Sequence, residues 1–169
     1  MIPLLLALAG LVVQAAEIEL PNGWRFPATE ELADEPLRNN SARNYAQAEA
    51  DFDGNGMIDI AYLFKSARVS GEGLLVRMAS PSGHNWLVLA EIDWGEEYSA
   101  VGLSMGIEVV EPGSYVTVCG KGYRECAPGE LRELLLEEPG LRYFKFESAS
   151  SIFHWDTESN EFKQTWVSD

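Results

Sequence analysis

An α+β fold dominated by antiparallel strands, built as one β-rich domain with one clear helix, is the architecture the sequence predicts. The first observation behind it is a series of apolar runs of strand length after residue 56, each bounded by Gly, Pro, Ser or Asp. The second is a leucine stripe, Leu131, Leu134 and Leu135, inside Gly129–Glu138 and closed by Pro139-Gly140, which has helical spacing and a helix stop. The third is size. The chain has 169 residues and no linker long enough to divide it, which suits one sizeable core.

Residues 1–16 carry no charge, are rich in Leu, Val and Ala, and end in small residues before Glu17. That pattern predicts a secretory signal peptide, cleaved after Ala15 or Ala16, because the apolar run is shorter than the ~20 residues a membrane span needs. The mature domain is then 17–169, periplasmic or secreted, with no membrane insertion after cleavage. Ile18–Phe26 reads as two short strand pieces around Pro21-Asn22-Gly23. Thr29 caps a short helix through Leu32 and Ala33, with Glu30 and Glu31 at its positive end, and Pro36 stops or restarts it.

Met57–Lys65, Gly73–Ala79 and Trp86–Ile92 form a meander, with Ile58, Ile60, Tyr62 and Phe64, then Leu74, Val76 and Met78, then Trp86, Val88 and Ala90 facing the core by the period of two. Met105–Val110 and Ser114–Cys119 follow as strands joined at Glu111-Pro112-Gly113. Beyond the leucine stripe, Arg142–Glu147, Ser151–Trp155 and Phe162–Val167 close the domain, the last two as a hairpin across Asp156–Glu161.

Chemistry is most strongly marked in Asp51-Phe52-Asp53-Gly54-Asn55-Gly56-Met57-Ile58-Asp59. Oxygen side chains stand at loop positions 1, 3, 5 and 9, a main-chain carbonyl at 7 and Gly at 6, the arrangement of a calcium loop. The loop lacks the imidazole and thiolate that zinc or copper would take. Position 12 is Tyr62, where an EF-hand places a bidentate Glu, and an apolar strand follows in place of a helix. The nonapeptide resembles the calcium loops of FG-GAP/VCBS repeats. The resemblance covers Glu49–Phe64 as a single repeat, and implies side-chain ligation by Asp51, Asp53, Asn55 and Asp59 with the Met57 carbonyl. Without the bidentate ligand the affinity belongs to the weak, ~10⁻⁴–10⁻³ M class. The same residues also suit a loop held by Asx turns alone.

The two cysteines, Cys119 and Cys126, predict a disulfide in an exported chain. It would hold Lys121, Tyr123 and Arg124 in an exposed arc, either a recognition feature or a stapled loop. Trp94, Glu96 and Glu97 lie in an acidic, aromatic loop that can anchor a partner or simply cover the core. The net charge is −15, from 27 acidic and 12 basic residues. Such a surface excludes nucleic acid and anionic lipid as partners and favours a basic protein.

A catalytic reading rests on Gly102-Leu103-Ser104-Met105-Gly106, which matches a nucleophile elbow, but Ile107–Val110 reads as strand where the elbow needs a helix. His154 could serve Ser104 as base, and the many acids leave a hydrolase carboxylate pair available. The sequence therefore leads to an exported, calcium-stabilised binding protein without catalysis, of inhibitor or immunity type against a basic envelope-acting effector. A small envelope hydrolase using carboxylates or Ser104 is the alternative.

Overall fold

The computed structural model describes residues 18–33, 35–98 and 102–169, so the expected leader over 1–16 lies outside the described residues. In chain order the elements are β1 (Trp24–Arg25), α1 (Thr29–Ala33), a 3-10 turn (Pro36–Asn40), β2 (Gln47–Ala50), β3 (Asp59–Ser66), β4 (Gly71–Ser80) and β5 (Gly83–Asp93). A second 3-10 turn (Glu96–Tyr98) leads to β6 (Met105–Val110), β7 (Gly113–Val116), β8 (Glu133–Leu136), β9 (Gly140–Lys145), β10 (Ser150–Asp156) and β11 (Glu161–Ser168).

All the pairings are antiparallel. The first sheet runs β1-β3-β4-β5, with β2 beside β1 on the same margin of β3. The second runs β11-β10-β9-β6, and β7-β8 is a separate ribbon. The two larger sheets enclose the main core. Ala61, Leu63, Leu74, Val76 and Met78 come from one sheet, and Met105, Ile107, Leu141, Tyr143 and Phe153 from the other.

The meander and the closing hairpin are where the sequence places them, but the fold is predominantly β. The expected helix over Gly129–Glu138 is a correction: its centre is strand β8, paired with β7 through Leu134 opposite Tyr115 and Leu136 opposite Gly113. The physical reason lies in the leucines themselves. Leu134 and Leu136 alternate inward, into a cluster with Val110, Ile152 and Val167, while Leu135 is 70% exposed. A helical stripe would have buried Leu135 beside Leu134, so tertiary packing has overridden helix propensity. The only α-helix among the described residues is α1, five residues long. The Glu111–Gly113 turn also joins different sheets, since β6 pairs with β9 and β7 with β8.

The facing of β3 differs from expectation too. Ala61 and Leu63 face the main core, whereas Tyr62 and Phe64 point to the opposite side, where they stack with Trp86, Trp24 and Phe26 in a smaller aromatic cluster. Ile58 is 61% exposed. Residues 20–26 cover that outer face, so both sides of β3 are apolar and period-two reasoning has no polar face to exclude. In β5 a bulge opposite Leu74/Leu75 shifts the phase. Trp86 therefore joins the outer cluster, Val88 is exposed, and Ala90 packs on the main core.

The sheets are tied together at Tyr45-Ala46. The Tyr45 carbonyl accepts from Ile107 N–H at 2.7 Å, and the Ala46 carbonyl accepts from Leu63 N–H at 2.9 Å. To reach both, Asn44 and Tyr45 adopt left-handed backbone, with φ of 52° and 50°, a conformation unfavourable for a Tyr. Buried Arg38 holds the bend, donating to the carbonyls of Asn44, Leu103 and Met105 at 2.9, 2.8 and 2.6 Å. Its guanidinium lies 5.0 Å from the Phe146 ring centre.

A candidate metal loop at the edge of the sandwich

The segment Asp51–Asp59 leaves β2, turns, and re-enters the first sheet as β3, because Ala50 is paired opposite Asp59. Its turning needs positive φ at Gly54 (72°) and Gly56 (83°), backbone that glycine adopts without the Cβ penalty. Phe52, fully buried against Phe162, pins the loop to the second sheet.

Carboxylate oxygens of Asp51, Asp53 and Asp59 lie within 4.8 Å of one another. Two oxygens bound to one calcium at 2.3–2.6 Å can be no more than about 5 Å apart, so the spacing fits a shared ion. Asp59 is completely buried. It accepts from Phe52 N–H at 2.9 Å and Ala79 N–H at 2.7 Å, fastening the loop and β4 to the start of β3. Asp51 accepts from Asn55 N–H at 3.0 Å and Gly56 N–H at 2.7 Å. Asp53 accepts from the Asn55 backbone and side chain at 3.2 and 3.0 Å.

Burial is the main reason that the Asp53 and Asp59 carboxyls titrate above the ordinary carboxylate range, with repulsion from neighbouring aspartates adding to it. Desolvated like charges in one place are the electrostatic condition that a cation relieves. Asn55 is hydrogen-bonded through both ends of its side-chain amide. Its amide nitrogen donates to Asp53 and to the Ala79 carbonyl, and its oxygen accepts from Met57 N–H at 2.8 Å. As folded it braces the loop, and Met57 contributes to that brace through its N–H.

The remaining candidates are not gathered at this loop. Trp94 directly follows β5, its backbone N–H donating to Ser70 O in the turn between β3 and β4, and its indole nitrogen is buried without a hydrogen-bond partner among the described residues. Glu96 and Glu97 are exposed beside it. Cys119 and Cys126 are disulfide-bonded. Tyr123, 59% exposed, projects from that loop. Within the basic arc around it, Lys121 donates to Val167 O and Arg124 pairs with Glu130.

Ser104 leads into strand β6, and its hydroxyl donates to Glu72 at 2.7 Å. Glu72 is fully buried and also accepts from the Ser104 and Met105 N–H groups at 2.9 and 3.1 Å. That carboxylate anchors β6 to the first sheet. His154 stands on β10, with Nε2 3.4 Å from Thr165 Oγ1. Burial first, and then Lys163, pushes its pKa down.

Sequence reasoning missed two features. One is the buried polar set Arg38, Lys65 and Glu72, whose members lie far apart in the chain and carry no motif. The other is an open groove of about 520 Å³ running from Asp53 and Asn55 along β5 to Trp155 and Phe162. Comparison with family models, curated proteins and solved structures gives no match.

Proposed function

We propose that the chain is an exported, calcium-stabilised binding protein whose acidic surface captures a basic protein, in the manner of an inhibitor or immunity protein against an envelope-acting effector. The observation that carries this reading is the convergence of Asp51, Asp53 and Asp59, with buried Asp59 bonded to two separate segments of backbone. An ion held there would secure β2, β3 and β4. Its donor set is oxygen only, which suits calcium. Asp51, Asp53 and Asp59 would supply the charge, with the Met57 carbonyl and a rotated Asn55 amide completing the shell as the FG-GAP/VCBS resemblance implies.

Capture of a basic partner is supported by the net charge of −15, which gives long-range attraction to a cationic surface. The disulfide is compatible with an oxidising compartment. The test is affinity capture from a periplasmic extract, followed by kinetics with the purified partner. A basic protein whose association rate falls steeply with salt while its dissociation rate changes little supports the reading. Turnover of an envelope substrate by the protein alone, lost in Ser104→Ala, would overturn it.

A further inference from the structure

Among the described residues, β5 pairs with β4 alone, so one whole margin of the first sheet meets no other strand. Both margins of the second sheet, by contrast, receive bonds from elsewhere in the chain. On β6, Ile107 N–H donates to Tyr45 O, and on β11 the Trp166 and Val167 carbonyls accept from Val118 N–H and the Lys121 ammonium. No residue of β5 is fully buried, in contrast to the nearly continuous burial of β3 and β4. From Gly83 to Ala90 the strand contains no Lys, Arg, Asp, Glu or Pro, the residues that proteins use to keep a free edge from pairing. Its pairing to β4 is regular from Gly83 to Val88 before the bulge, about 20 Å of edge.

The groove described above takes in Asn85 and three consecutive residues of this strand, and reaches Met78, Ala79 and Ser80 at the end of β4. Leu87, Val88 and Leu89 all line it, although successive side chains of a strand point to opposite faces. Three consecutive residues can share a groove when it borders the margin of the strand and touches main chain as well as side chains. Phe153, Trp155 and Phe162 of the β10–β11 hairpin form the apolar opposite wall, and Glu161 and Asp53 place carboxylates on the rim.

We infer that this groove is a strand-addition site: an extended peptide segment of alternating apolar and basic residues pairs with the outer edge of β5. Its apolar side chains would lie against Phe153, Trp155 and Phe162, with its cations toward Glu161. Unpaired main-chain groups supply affinity independent of sequence, and the wall and rim select side chains. The inference deepens the reading of the chain as a binder of basic protein, and rests on it for the sign of the partner's charge.

The probe is a short, capped peptide of alternating Lys and Val, titrated by fluorescence anisotropy in millimolar calcium and low salt. Two isomers carry N-methyl groups on alternate residues, one blocking each edge of the peptide. Pairing to β5 uses one edge only. One isomer should therefore bind like the parent and the other at least about tenfold more weakly, the loss expected for several hydrogen bonds. Glu161→Lys should weaken the parent peptide. In the free protein, outward amides of Gly83–Asp93 should exchange rapidly and gain protection when the peptide is added. No binding of the parent peptide, or equal binding of both isomers, overturns the site. Protection that rises with the protein's own concentration and not with peptide would assign the edge to a second copy, also overturning it. If the peptide fails while a basic protein is still captured in a salt-sensitive manner, the groove falls and the binding reading stands.

Discussion

Replacing Asp59 by Asn in the absence of calcium should destabilise the protein, while the same change at Asp53 should not. Asp59 is fully buried and receives two backbone N–H groups, from Phe52 and Ala79. An Asn there offers one oxygen and turns an NH₂ toward the second N–H. One buried donor is left unpaired, at a cost of about 1–3 kcal/mol, and the remaining bond loses its charge assistance. Removing a desolvated charge offsets part of this, so a net loss of about 1–3 kcal/mol is expected. At Asp53 the partners are the exposed groups of Asn55, and burial with repulsion from Asp51 already disfavours the ionised form. Asp53→Asn should therefore lie within about 0.5 kcal/mol of the parent, or be slightly more stable. Urea unfolding in chelator, followed by tryptophan fluorescence, reads both, with an unchanged slope verifying that only stability has moved. Equal stability of Asp59→Asn and parent, or an equal loss in both variants, would refute the reasoning.

Two further outcomes follow from the geometry. Removing the disulfide by Cys119→Ala with Cys126→Ala should cost about 2–3 kcal/mol through loop closure and leave the calcium response intact, as judged by melting with and without the ion. Arg25 donates to Glu31 at 2.7 and 2.6 Å, and chiefly through those bonds lowers the Glu31 pKa to about 2. A folded-state value below the unfolded one contributes stability above the ordinary carboxylate range and loses it as pH falls toward 2. The stability gap between the parent and Glu31→Gln should shrink over that window, and a gap that widens on acidification would contradict the assignment.

The sequence makes the strands of the meander and hairpin legible because turn residues bound them, and it makes the aspartate loop legible because its spacing is local. What it hides is set by distant contacts. Leu131, Leu134 and Leu135 satisfy a helical stripe, and only the pairing of β8 with β7 decides for a strand. Tyr62 and Phe64 look like core residues, yet Trp24 and Phe26, some forty residues earlier in the chain, complete the outer cluster they occupy. Asn55 fits a ligand position in the motif, and the bond from its amide nitrogen to Ala79, on β4, is a contact across 24 residues that no motif carries. That β5 pairs on one side only among the described residues has no sequence signature beyond the lack of protecting charges, since being an edge is a property of the sheet.

The central claim is that a calcium ion secures the Asp51–Asp59 loop, and the most direct measurement is thermal unfolding of the intact protein in calcium and in chelator. For a site of the weak class, about 10 mM calcium should add roughly 1.4–2.7 kcal/mol, from the binding linkage at Kd values of ~10⁻³–10⁻⁴ M. In a domain of this size that is a rise of about 3–10 °C in Tm, and Asp51→Ala or Asp53→Ala should abolish it. A melting curve that calcium leaves unchanged, or a rise that survives in both variants, would contradict the account.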